Sequence, residues 1–328
     1  MIQSIFKSKV SYCGVVLWRK IVVIVSGIAS DYWRDGGVVS SGANESKSGK
    51  AVDLVRNDVS SPHRRSDGIE AKTFTWKASG RPQILESIWG LGHCLPGGDT
   101  LIDTILAPIT LGDNKDILDL SANTGAVGRR LAARFGAYVT GLEVDEDFAR
   151  YGAELSAQEG KSSQATVEVY NPANFFASKQ YSFIVARELF YKIADKHKFF
   201  KEINKSLKPK EPRGQMVFTD YLLESDRVKN PAIAAWLAYE SDARPVSLEE
   251  MIKTFGKNNV DLRVHEDLTD MYVNEIFKAL SKFTQFLQKY PPDRDTKVMI
   301  TREIELWSLR IAALKAGLKF YRFYAIKN

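Results

Sequence analysis

The chain has 328 residues, 44% hydrophobic and 26% charged, with a formal net charge of +6. That length holds one large domain or a domain with appendages, and the balance is that of a soluble globular protein. The mild positive charge suits an acidic small substrate or a membrane surface and is too weak to argue for nucleic acid, while two cysteines, Cys13 and Cys94, give no disulfide framework and suit a reducing, cytoplasmic compartment.

Residues 1–72 read as a poorly ordered extension. Val10 to Ala29 is apolar, but Arg19-Lys20 interrupts it, so no transmembrane span is expected there. Ser40 to Lys50 has the composition of a linker. No zinc-ligand spacing, aromatic-basic RNA motif or internal repeat occurs.

The folded domain is expected over 73–328. Pro82 opens a short helix, Gln83 to Trp89, as a first-turn proline can. The stretch Ile88 to Gly98 is too rich in glycine for a helix or strand, and as a loop it places His93 to close over a bound substrate. Asp99 or Thr100 then caps a helix, Leu101 to Leu106.

The segment Asp116-Ile-Leu-Asp-Leu-Ser-Ala-Asn-Thr-Gly-Ala-Val-Gly128 organises everything after it. An apolar run breaks into small residues, and the helical spacing of Val127, Leu131, Ala132 and Phe135 begins at once. Small residues let the backbone approach a ligand, and the free N–H groups of the helix start favour an anionic group. A second strand, Tyr138 to Leu142, ends in Glu143, an acid placed to accept from ribose hydroxyls. This predicts a nucleoside-binding βαβ unit.

Strands at Thr166–Tyr170, Tyr181–Ala186 and Gly214–Tyr221 alternate with helices at Asp147–Gln158 and around Phe199, Ile203 and Leu207. Such alternation predicts a parallel sheet with helices on both faces and ligands beyond the strands' carboxyl ends. Helices then dominate: Ile233–Glu240, Leu248–Phe255, one from Thr269 to Lys289 and one from Thr301 to Lys315. A short strand, Asp261–Val264, interrupts them, and an aromatic strand, Lys319–Ile326, follows. Lid helices over 225–316 are the expected reading of this excursion.

From Ile84 to Lys327 the sequence resembles the class I S-adenosylmethionine-dependent methyltransferases, and within them the phosphoethanolamine N-methyltransferase group. The resemblance rests on the Trp89–Gly98 loop, Ile117–Gly125, Ala186-Arg187-Glu188, Phe218–Tyr221, Glu266–Tyr272, and Trp307–Arg310 before the aromatic strand. It implies a Rossmann-like α/β fold with a seven-stranded sheet whose last strand is antiparallel, S-adenosylmethionine as cofactor, and methyl transfer to a small molecule, with amines as one acceptor class. Carried over by motif, Asp119, Ser121, Asn123, Gly125, Glu143, Asn171 and Ala186 would hold cofactor. His93, Glu188 and Tyr221 would be catalytic, and Asp220, Tyr272 and Arg310 would meet substrate, the aromatic faces of Tyr221 and Tyr272 suiting a methylated ammonium. The sequence departs from the group's pattern at Leu91, His93, Asn171, Ser182 and Lys192, and Ser121 and Asn123 replace glycines of the turn. Those departures motivate an alternative, a non-catalytic relative whose turn fills the cofactor pocket. A nicotinamide-dependent oxidoreductase fits less well, because the glycine spacing and the late helices disagree.

Overall fold

A computed structural model of the protein describes Trp76 and residues 80–107, 109, 115–210 and 212–328. The expected extension over 1–72 and the domain start at 73 lie outside the described residues.

Seven strands form one sheet: β1 (Asp116–Asp119), β2 (Tyr138–Glu143), β3 (Ala165–Val169), β4 (Phe183–Arg187), β5 (Gln215–Leu222), β6 (Val260–Asp267) and β7 (Lys319–Lys327). Their spatial order is β3-β2-β1-β4-β5-β7-β6. The first five run parallel, and β7 runs antiparallel to both its neighbours. This is the mixed sheet that the sequence predicts. Strand β4 is buried at every position, because both of its faces are covered, and so it reads as a continuous apolar run.

The helices are α1 (Arg81–Trp89), α2 (Gly98–Leu106), α3 (Ala126–Phe135), α4 (Glu146–Gln158), α5 (Lys196–Ser206), α6 (Pro231–Tyr239), α7 (Leu248–Lys257), α8 (Thr269–Lys289) and α9 (Arg294–Ala316). Among them no helix is long and apolar enough to cross a membrane. On one face of the sheet Phe190, Phe200, Phe218, Phe255 and Phe323 pack together, with Phe218 stacked against both Phe255 and Phe323, which also touch each other. On the other, Tyr272 lies flat against Phe320 with ring centroids 3.8 Å apart, and Tyr221 and Trp236 pack beside them.

Three elements differ from expectation. Helix α2 starts at Gly98, capped by Gly97 in the left-handed conformation at φ 91°, so Asp99 lies inside the first turn and caps nothing. Helix α9 starts at Arg294, two turns before Thr301, because Asp293 accepts from Thr296 N–H at 2.9 Å and supplies an N-cap just past Pro291-Pro292. Strand β6 extends to Asp267, since pairing along β7 recruits His265 and Glu266, polar residues that a search for apolar alternation leaves out.

Candidate active site

The register aligns Asp119 with Gly141 and Val185, and Arg187 with Thr219, so the carboxyl ends of β1, β2, β4 and β5 meet along one edge. The turn after β1 is built there. Asn123 adopts φ 51°, a conformation that asparagine tolerates, and its side-chain Nδ2 donates to Ser121 O at 2.7 Å. Glu143 anchors the same turn from β2: Oε2 accepts from Asn123 N–H at 2.7 Å, and Oε1 accepts from Val144 and Asp145 N–H at 2.8 and 3.0 Å. Burial raises the Glu143 pKa, and these amides pull the other way.

Behind the turn Arg129 is buried. It donates to Thr124 O and Gly92 O and pairs with Glu159 at 2.8 Å, tying the turn to the loop before α2. Gly125 caps α3 at φ 77°, and a Cβ there would come within 3.0 Å of Arg129 Nη1 and Val167 Cγ2. Gly125→Ala is therefore expected to cost about 1–3 kcal/mol of stability, read by chemical unfolding, because alanine meets both an unfavourable φ and a filled space.

A cavity of about 670 Å³ opens in front of the turn, within the usual range for small-molecule sites. Ser121, Asn123 and Glu143 line one part of it, with Val144, Phe148 and Asn171 nearby. Asn171 also turns its Oδ1 to Ala173 N–H at 2.9 Å. Arg81 of α1 and Glu303 of α9, paired at 2.5 Å, belong to the same lining.

Another part is lined by Arg187, Glu188, Tyr191, Lys192, Trp307 and Arg310. Glu188 sits just past β4 at φ 55°, a strained value for a residue with a Cβ, held by its N–H donating to Thr219 O at 2.8 Å. Its carboxylate accepts from Tyr221 OH at 3.1 Å and from Tyr272 OH, and Arg310 Nη1 lies 3.3 Å away. Arg310 is buried and turns its other donors to Glu240, Nε at 2.9 Å and Nη2 at 2.8 Å. Tyr191 OH and Trp236 Nε1 also donate to Glu240. Burial opposes ionisation of Glu240, but the Arg310 guanidinium outweighs it and brings the carboxyl to about 2. Burial drives the Tyr191, Tyr221 and Tyr272 phenols well above their ordinary range, so each stays a donor.

The structure thus brings Ser121, Asn123, Glu143, Asn171, Glu188 and Arg310 to one cavity. Tyr221 and Tyr272 lie behind its lining and reach it through Glu188. Gly125 and Ala186 shape the backbone beneath. Asp119 is 1% exposed, receives Ser121 N–H at 3.0 Å on Oδ1, and is pushed up to about 7 by burial. Two further residues, His93 and Asp220, also lie outside the lining. His93 is absent from the lining and lies 3.4 Å from Asp99, which the early start of α2 places beside it. Asp220 is fully buried and holds the turn at Phe190–Lys192, accepting from Tyr191 N–H at 3.1 Å and from its neighbour Tyr221 N–H at 2.7 Å.

Burial raises the Asp220 carboxyl to about 8, although the Tyr221 N–H favours the ionised form. The folded chain then holds this proton more tightly than the unfolded chain, where the pKa is about 3.9. The resulting stabilisation is complete below about pH 4 and is lost as pH rises toward 8. Urea unfolding across that window should show stability falling with pH, less steeply in Asp220→Asn.

The sheet order and a cavity at its carboxyl edge, with an acid ending β2 and a small-residue turn after β1, define a nucleoside-cofactor-binding protein of methyltransferase architecture. A methyltransferase-domain family model matches residues 99–261, just under half of the chain, and that match supports a class I S-adenosylmethionine-dependent methyltransferase. It is 24% identical over 201 residues to phosphoethanolamine N-methyltransferase 1 of Zea mays, covering 60% of this chain and 38% of that protein. It is 23% identical over 224 residues to the glycine/sarcosine/dimethylglycine N-methyltransferase of Actinopolyspora halophila, covering 67% and 39%. The chain therefore spans well under half the length of these relatives. Its fold matches that of Haemonchus contortus phosphoethanolamine N-methyltransferase 2, solved with phosphomonomethylethanolamine and S-adenosylhomocysteine, at a TM-score of 0.62 and 20% identity over 75% of this chain and 56% of that one.

Sequence reasoning missed Tyr191, Trp236 and Glu240. The available signal was an acid closing the apolar run Ala232 to Tyr239, since a buried acid needs a cation.

Proposed function

We propose that this chain transfers a methyl group from S-adenosylmethionine to the nitrogen of a small amine. The observation that carries the reading is that one cavity joins the Glu143-anchored turn to a carboxylate, Glu188, held by two buried tyrosines and Arg310. The residues present fit the cofactor. Glu143 supplies the acid at the end of β2, Ser121 and Asn123 leave the space in front of the turn open, and Val144 and Phe148 give apolar walls. When bound, S-adenosylmethionine supplies a methyl group already activated on a sulfonium. What is asked of the protein is then orientation, exclusion of water and a place for the amine's charge. Glu188 accepts from the amine, and Trp307, whose ring carries the Arg310 guanidinium at 4.5 Å, backs the same part of the lining.

The segment 225–316 acts as the cover in this reading, since α9 contributes Glu303, Leu306, Trp307 and Arg310 to the lining. The non-catalytic alternative expects a turn that fills the pocket, whereas Ser121 and Asn123 line an open one.

The test is calorimetric titration of S-adenosylhomocysteine into the full chain, followed by transfer of labelled methyl to a panel of small amines. Micromolar binding with turnover of at least one amine is the expected result. Absence of binding to folded protein at millimolar ligand would reject the reading.

A further inference from the structure

Five cationic side chains line the cavity: Arg81, Arg187, Lys192, Lys198 and Arg310. Arg81 is paired with Glu303 at 2.5 Å, and Lys192 lies 3.2 Å from Asp242 and 3.4 Å from Glu240. Lys198 is exposed and donates to Ala173 O. Arg310 gives Nε and Nη2 to Glu240 and Nη1 to Glu188, so carboxylates occupy its fork. Arg187 stands apart. It is 5% exposed, donates Nη2 to Pro96 O at 3.1 Å, and has a buried Nε with no partner. Among the described residues it is the buried cation of the lining that no carboxylate meets.

A phosphate monoester brings a charge of about −1.5 to −2 near neutral pH. Taking such a group out of water needs cations that are free to meet it. In this cavity Glu188 and Glu240 have already taken Arg310, and Glu188, Glu303 and Asp242 add their own negative charge to the lining. A carboxylate, with one charge and two oxygens, matches what Arg187 offers.

We propose that Glu240 sets the acceptor class: by holding Arg310 it denies the cavity a phosphate-binding cation, so the chain accepts amines carrying at most one carboxylate and discriminates against phosphorylated amines. Glu240 acts through Arg310 and is a positioning residue. Arg187 takes a carboxylate, whether from the acceptor or from the amino-acid end of the cofactor. The proposal rests on the methyl-transfer reading above and deepens it.

The test titrates sarcosine and phosphoethanolamine into the full chain loaded with S-adenosylhomocysteine. Sarcosine is expected to bind about tenfold or more tightly than phosphoethanolamine. Glu240→Gln, which keeps the shape and frees the Arg310 charge, should raise phosphoethanolamine affinity about tenfold, and Glu240→Asp should restore the discrimination. A merely structural role would lower both affinities and raise neither. In Arg187→Met, weaker S-adenosylhomocysteine with unchanged 5′-methylthioadenosine assigns the carboxylate to the cofactor. Weaker sarcosine alone assigns it to the acceptor. Wild-type protein that binds phosphoethanolamine as tightly as sarcosine, or Arg187→Met that weakens neither carboxylate, overturns the proposal. Should S-adenosylhomocysteine fail to bind, the methyl-transfer reading falls by itself. Inorganic phosphate titrated into unloaded wild type and Glu240→Gln still reads the Glu240 claim, with unchanged affinity counting against it.

Discussion

Glu188→Gln should lower kcat by about 10²–10³-fold while S-adenosylhomocysteine affinity stays near that of the wild type. Nitrogen gains positive charge as it takes the methyl group, and a fixed carboxylate is worth most in a site shielded from water. Tyr221 and Tyr272 both donate to Glu188, and Arg310 approaches it at 3.3 Å, so its position does not depend on the substrate. Glutamine keeps the size and one acceptor oxygen but gives up the charge, and its amide meets a tyrosine hydroxyl or the guanidinium as a second donor. Stopped-time methyl transfer at saturating cofactor measures the effect. A kcat within a few-fold of wild type, in a variant shown to be folded, would remove Glu188 from the site.

The second large effect is expected from Glu143→Ala. Three backbone N–H groups, those of Asn123, Val144 and Asp145, lose their acceptor together. The turn then loses a contact that anchors Asn123, and the cavity loses the acid at the end of β2. Hydrogen bonds to a charged group contribute about 1.5–3 kcal/mol each, so a loss of about 2–4 kcal/mol in cofactor binding is expected, roughly 30- to 1,000-fold in Kd. Calorimetry with S-adenosylhomocysteine reads it directly. Glu143→Gln should fall between the two, because its carbonyl can still accept from the turn. Unchanged affinity in Glu143→Ala would mean that the nucleoside binds elsewhere.

Much of this architecture is legible in the residues, for a local reason. Strand β4 is a short, nearly continuous apolar run, and a strand buried on both faces announces itself within five positions. The turn is legible too, since asparagine tolerates the left-handed backbone that Asn123 adopts at φ 51°. The half of the cavity around Glu188 is not. Arg310 meets Glu188 across 122 positions of sequence and Glu240 across 70, and no window of sequence contains such a pair. His93 misled because a histidine in a glycine loop looks free to move. Its direction depends on where α2 begins, and Gly97 sets that through its backbone rather than through a side-chain cap. Asp220 misled in the opposite sense: an acid at a strand end resembles a ligand group, yet its partners are backbone N–H groups of a neighbouring turn.

The position of β7 also governs how the molecule can be made. This strand sits inside the sheet between β5 and β6, yet β5 ends at Leu222 and β7 begins only at Lys319. A ribosome adding about 5–20 residues per second needs roughly 5–20 s to cover that interval. Throughout it, the edge of β5 on which Phe320 and Phe323 will later pair presents backbone N–H and C=O groups that β7 has yet to meet. Nascent chains are thus at their most adhesive while α8 and α9 are being synthesised, and Glu188 cannot acquire its Tyr272 and Arg310 partners until almost the whole sheet can close.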